Sequence, residues 1–259
     1  MPFLKTKAAR IHYLLEGPEN APVLAFSNSL GANCGMWDLQ AAEFRRDIRI
    51  LRYDTRGHGE SSTTPGPYSI ELLGKDVLAL LDGLHLESVH FCGLSMGGMI
   101  GMWLALHAPH RLKKLVLSNT AAKIGTTEGW NARIETVRTN GMKAVAATVI
   151  ERWLTAAFRE KNPAPVAKIQ KALEDTNPEG YAACCAAVRD FDCRGDLARI
   201  RISTLVIAGA SDPATPPADG RFLAAQIPAA QYAELNAAHL SNIEDRDGFN
   251  DTLRTFLEL

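Results

Sequence analysis

The stretch Val89–Gly101, VHFCGLSMGGMIG, begins with apolar and β-branched residues and then sets Gly93, Gly97, Gly98 and Gly101 around one serine, Ser95. Glycine is poor in the interior of both helices and strands. Several of them at one junction mark a place where backbone must pass close to other backbone. Gly93-Leu94-Ser95-Met96-Gly97 has the spacing G-x-S-x-G, which puts a serine on a sharp strand-to-helix turn and requires small neighbours. The lead-in SVHFC reads as a buried strand, and MGGMIGMWLALHA reads as the helix that leaves it. Such a turn belongs to a sheet whose strands are joined by helices.

The rest of the chain repeats that alternation. IHYLLEG, APVLAFSNS, IRILRYDTRGHG, LKKLVLSNT, STLVIAGASD and part of AQYAELNAAH read as strands. SIELLGKDVLALLDGLHL, MIGMWLALHAPHRL, DGRFLAAQI and DGFNDTLRTFLEL have apolar residues at helical spacing. Near-continuous apolar strands separated by helices predict a mostly parallel central sheet flanked by helices. From Ala121 to Asp196 the strand pattern stops. WNARIETVRTNGMKAVAATVIERWLTAAF, VAKIQKALEDT and GYAACCAAVRDF are helical, and prolines separate them. We therefore expect an α/β core from residues 1–120 and 197–259, with a helical cap from residues 121–196.

Composition narrows the function classes. A net charge of −1, with Lys and Arg scattered, leaves no basic footprint for nucleic acid or an anionic membrane. The start of the chain lacks the apolar stretch of a signal peptide, and no apolar run approaches membrane-spanning length, so a cytoplasmic protein is expected. The cysteines Cys34, Cys92, Cys184, Cys185 and Cys193 form no CxxC or His-spaced pattern. They are expected to be reduced thiols, and neither a metal nor an organic cofactor is expected. No sequence feature sets an oligomeric state.

A serine hydroxyl needs a base, and the base needs an orienting group. The G-x-S-x-G elbow resembles that of the α/β-hydrolases, and that resemblance implies an acid and then a histidine after the serine. His12, His58, His85 and His90 precede Ser95, and His107 and His110 lie at the end of the next helix, where the dipole favours them. His239 remains, and Asp212, at the end of STLVIAGASD, is the expected acid. The loop AFSNSLGANCGMW offers the Leu30 amide as partner to that of Met96 in an oxyanion hole. In the loop YDTRGHGES, Asp54 and Arg56 are expected to form a structural charge pair.

RYDTRGHGES, GLSMGG, LVIAGASD and AAHLSNIED, in that order, resemble the α/β-hydrolase superfamily over nearly the whole chain. FSNSLGANCGMWD, EGWNARIETVRTNGM and GYAACCAAVRDFD are more closely similar to the 3-oxoadipate enol-lactonases of aromatic-compound breakdown. The resemblance implies an α/β-hydrolase fold and hydrolysis of an anionic enol-lactone by Ser95, His239 and Asp212. A carboxylesterase or carbon–carbon bond hydrolase would use the same three residues, although NSLGAN departs from the glycine-rich oxyanion loop of the latter. A ligand receptor built on this fold is the reading from another class.

The carboxylate of such a substrate needs a local counter-charge. The cap offers Lys123, Arg133 and Arg138. Arg133 is the expected ligand, because Trp130 lies three residues before it and would share its helix face.

Overall fold

The computed structural model describes residues 2–6 and 9–259; part of the N-terminal stretch judged above for a signal peptide lies outside them. Eight strands run β1 (Phe3–Lys5), β2 (Arg10–Glu16), β3 (Val23–Ser27), β4 (Arg49–Tyr53), β5 (Val89–Leu94), β6 (Leu112–Ser118), β7 (Thr204–Gly209) and β8 (Gln231–Leu235). They form one sheet in the order β1-β2-β4-β3-β5-β6-β7-β8. β1 pairs with β2, and β2 with β4, antiparallel. All the other neighbours are parallel.

Parallel strands joined by crossover helices are covered on both faces, and the sequence meets that demand. Every residue of β3 and β7 is buried. Helix α1 (Asp38–Phe44) precedes β4, α2 (Ile70–Gly83) precedes β5 and α3 (Met96–His107) follows it. α3 is apolar all round and is buried over most of its length, which suits a helix at the centre. It seats Gly101 on Leu115 and Phe91, while the Trp103 ring rests on Gly74 of α2.

Between β6 and β7 lie five helices: α4 (Thr127–Asn140), α5 (Lys143–Trp153), α6 (Ala156–Lys161), α7 (Pro163–Glu174) and α8 (Pro178–Asp190). The long helical run that starts at Trp130 is therefore three helices. It breaks at Gly141, whose φ of 74° ends α4, and at the extended Leu154. α9 (Pro217–Gln226), α10 (Ser241–Glu244) and α11 (Arg246–Leu257) complete the chain. Asn177 caps α8, its side chain accepting from the amides of Glu179 and Gly180. That places Gly180 directly against Gly57 of the core, where a Cβ on Gly180 would come within 2.3 Å of the Gly57 carbonyl oxygen.

Among the described residues, no helix is long and apolar enough to cross a membrane. The five cysteines are buried and free. β1 and α1 were not anticipated. Each is too short to show a period, and β1 is an edge strand defined only by its pairing with β2.

Candidate active site

Ser95 stands between β5 and α3 with φ 58° and ψ −115°, a conformation that costs a non-glycine residue energy. Its surroundings hold it there. The Ser95 amide donates to the Ser118 carbonyl at 3.0 Å, and the Thr120 hydroxyl donates to the Ser95 carbonyl at 2.7 Å. A Cβ on Gly97 would lie 2.2 Å from the Ser27 carbonyl oxygen, and one on Gly93 would lie 2.1 Å from that of Gly97. The glycines of the motif therefore exist for close approach of backbone, as its spacing predicts.

Asp212 follows β7, and five hydrogen bonds fix its carboxylate. Oδ1 accepts from the amides of Ala214 and Thr215 at 2.8 and 3.1 Å. Oδ2 accepts from His239 Nδ1 at 2.8 Å, the Thr215 hydroxyl at 2.7 Å and Asn119 Nδ2 at 3.0 Å. Burial alone would raise this carboxyl. The His239 ring and the bonds from His239, Asn119 and Thr215 outweigh burial and hold it at about 2. His239 is itself buried, and its bond to Asp212 leaves Nε2 as the ring nitrogen available for proton transfer.

Ser95 and His239 open into one cavity of about 340 Å³. Its floor comes from loops that follow β3, β5, β7 and β8, the strand ends where such folds display their chemistry. Its wall comes from α4, α5 and α8.

The loop after β3 carries Leu30 on the cavity floor. The amides on either side of Leu30 are engaged, Ser29 with Met36 Sδ at 3.4 Å and Gly31 with His58 Nε2 at 2.8 Å. Met96, as the first residue of α3, has an amide without an intrahelical acceptor. Asn28 fixes the loop by donating to the Tyr53 carbonyl at 2.8 Å and accepting from the Trp37 indole at 3.0 Å.

Asp54 and Arg56 brace this region on separate partners, which corrects the expectation that they pair with each other. Asp54 accepts from His12 Nδ1 at 2.7 Å and from the amides of Cys34 and Glu60 at 2.7 and 2.9 Å. Arg56 binds Asp76 through two nitrogens, at 2.7 and 2.5 Å. The fold thus gathers His12, Cys34 and Asp54 within 4.8 Å of one another, a grouping of metal-ligand types that the linear spacing does not reveal. Burial and the Asp54 charge push the Cys34 thiol far up. The carboxylate is already committed to hydrogen bonds, so the group reads as a brace.

On the helical wall, the Trp130 indole donates to the Ile124 carbonyl at 2.7 Å, and the Arg133 guanidinium lies 5.3 Å from the Trp130 ring centre. The two share a helix face, as their spacing predicts, and both line the cavity. Arg133 also reaches the Tyr181 hydroxyl at 3.5 Å. The other two candidate cations are engaged elsewhere, Lys123 with Asp192 at 3.8 Å and Arg138 with Glu179 at 3.3 Å. The sequence reading missed Arg152, Tyr181 and Thr215 on the cavity wall, and Asn119 and His58 behind it. Asn119 could have been suspected from its place at the end of the strand between serine and acid.

Residues 22–246 match the family model described as the alpha/beta hydrolase fold. The chain is 45% identical to 3-oxoadipate enol-lactonase 2 of Acinetobacter baylyi, covering 98% of this chain and 96% of that one. The solved enol-lactonase of Burkholderia xenovorans superposes with a TM-score of 0.98 at 44% identity, covering the whole of both chains. A thermophilic esterase of Thermogutta terrifontis, solved with malate bound, superposes with a TM-score of 0.93 at 26% identity, covering 99% of this chain and 97% of that one. A strained serine at a strand-to-helix turn, a histidine paired with a buried aspartate and near-complete coverage by these relatives agree. The chain belongs to the α/β hydrolase fold family and, within it, to the 3-oxoadipate enol-lactonases.

Proposed function

We propose that the protein hydrolyses 3-oxoadipate enol-lactone to 3-oxoadipate through an acyl-enzyme on Ser95. The observation that carries this reading is a single cavity. It opens onto the Ser95 and His239 side chains on its floor and has Arg133 on its wall, in a chain 45% identical to a named enol-lactonase.

His239 Nε2 takes the Ser95 proton as Oγ attacks the lactone carbonyl. Charge developing on the carbonyl oxygen is met by the amides of Leu30 and Met96, each such donor contributing about 3 kcal/mol of transition-state stabilisation. The ring C–O bond breaks as the His239 imidazolium gives that proton to the departing enol oxygen, and the enol, still tethered to the acyl chain, tautomerises to the ketone. His239 next draws a proton from water, which attacks the acyl-enzyme and frees Ser95. Asp212 stays ionised throughout, fixing the His239 tautomer and stabilising the imidazolium. Arg133 binds the carboxylate that the substrate already bears, over the apolar face of Trp130. Arg133 donates to the Tyr181 hydroxyl, which lines the same cavity, and this supports the reading.

In this reading residues 121–196 are the cap over a core of residues 1–120 and 197–259, and the reaction belongs to a cytoplasmic route of aromatic-compound breakdown. The test is direct. Purified protein should remove the absorbance of the enol-lactone far faster than it cleaves a simple aryl ester. Binding of the lactone without turnover would favour the receptor reading instead.

A further inference from the structure

Trp153, the last residue of α5, is buried and lines two cavities. One is the catalytic cavity. The other, of about 470 Å³, is walled by Met36, Leu39, Pro165, Ile169, Leu240 and Ile243. Among the described residues, Trp153 is the one residue common to both linings. The chain also passes from one compartment to the other at two points. Leu30 lines the catalytic cavity and Ala32 the second; His239 lines the catalytic cavity and Leu240 the second. The Leu240 amide donates to the Trp153 carbonyl at 2.9 Å, tying the indole-bearing backbone to the histidine loop.

The second cavity suits hydrocarbon. Its charged residues, Asp38 and Lys168, are exposed and pair with each other at 3.2 Å, while the side chains further in are mostly apolar. Its volume lies in the range of small-molecule pockets. An unpaired charge would be poorly solvated there, whereas an alkyl chain would gain by burial.

We propose that Trp153 is the specificity-determining partition of this site: it confines acyl groups on Ser95 to the catalytic cavity, and without the indole an aliphatic acyl chain extends into the second. The acyl group is the part of an ester that stays beside Leu30, whose loop leads directly to Ala32. The proposal rests on Ser95 being the nucleophile. Its chemistry is the same acyl transfer: the ester C–O bond breaks, the Ser95 Oγ–acyl bond forms, His239 passes the proton to the leaving alcohol, and water then releases the acid.

The experiment compares kcat/KM for p-nitrophenyl acetate and p-nitrophenyl octanoate in wild type, Trp153→Ala and Trp153→Leu. Each methylene newly buried is worth about fourfold, so the octanoate-to-acetate ratio should rise about tenfold or more once a few methylenes enter. Adding Ala172→Phe, which fills the second cavity, should return the ratio towards that of wild type. A ratio that stays at the wild-type value in whichever Trp153 variants fold overturns the proposal. So does a raised ratio that Ala172→Phe leaves untouched. Ser95→Ala in the Trp153→Ala background separates the two readings: octanoate turnover that survives there refutes the nucleophile, and its loss leaves the ratio to decide the partition.

Discussion

The floor of the catalytic cavity and its helical wall are built to different tolerances. On the floor, Asp212 receives five hydrogen bonds and is buried, and Ser95 is held in a strained conformation by backbone contacts on both sides. On the wall, α4 buries only Val137 fully, and Arg133 is half-buried with one long hydrogen bond and one ring contact. A hydrogen-bonded network in a dry interior has one arrangement, because breaking any member strands the others. A helix resting on a few apolar contacts can shift or exchange side chains at little cost. The floor therefore fixes the chemistry, and the wall is where selectivity can change.

The largest effect should come from the floor. Ser95→Ala should fold normally and lose roughly 10³–10⁶ in kcat on the enol-lactone, the residue being what oxyanion hole and binding supply alone. A folded Ser95→Ala protein with near-wild-type turnover would remove the nucleophile assignment, and with it the contrast. His239→Ala should be nearly as damaging, and Asp212→Asn somewhat less, since orientation and base act as one unit. If the double variant His239→Ala, Asp212→Asn lost the product of the single effects, the floor would not be the coupled network its bonds describe.

The floor was also the more legible half. A G-x-S-x-G turn, an acid at a strand end and a histidine beyond it are each local in sequence, and they stand in the chain order of the α/β-hydrolase family. Asn119 was missed although it bonds Asp212, the Ala238 carbonyl and the Ser241 hydroxyl. Its place just after β6 is a hint, but those partners lie far along the chain and only the fold brings them together. The same holds for Asp54 and Arg56. Their adjacency in sequence suggested a mutual pair, whereas the fold brings His12 to one and Asp76 to the other. In the cap, helical period gave the segments but not the breaks at Gly141 and Leu154. Trp130 and Arg133 could be read as a pair because they sit on one helix, while Arg152 and Tyr181 join them only through packing.

The wall should yield a smaller and more selective loss. Arg133→Met is expected to lower kcat/KM for the enol-lactone by roughly 2–4 kcal/mol, the penalty for a desolvated charge left without its partner. Hydrolysis of a small neutral ester that uses the same Ser95 should barely change. Kinetics on both substrates distinguish the outcomes. Equal losses would mean a damaged cap, and no loss on either would reject Arg133 as the carboxylate ligand.

The smallest effect concerns the seam where floor and wall meet, at His58. Its Nε2 accepts from the Gly31 amide beside Leu30, its Nδ1 lies 3.4 Å from the Arg56 carbonyl, and its ring contacts Tyr181 of α8 at 6.4 Å between centres. Burial pushes the His58 pKa down to about 4, against small opposing effects of the Arg56 carbonyl and Asp54. A lowered histidine pKa means that the unfolded chain binds the proton more tightly. The associated stability is intact above about pH 6.5 and is lost as pH falls from there towards about 4. At about pH 5.5 His58 alone should account for a loss of about 1 kcal/mol relative to pH 8. His90, also lowered to about 4 by burial and by Lys113 and Lys114, adds to the same window. Glutamine at position 58 can still offer an acceptor to Gly31 but does not titrate. His58→Gln should therefore keep most of its activity at pH 8 and show a shallower fall in urea-unfolding free energy between pH 8 and about 5.5. An unchanged pH slope would mean that His58 is not held neutral at the seam.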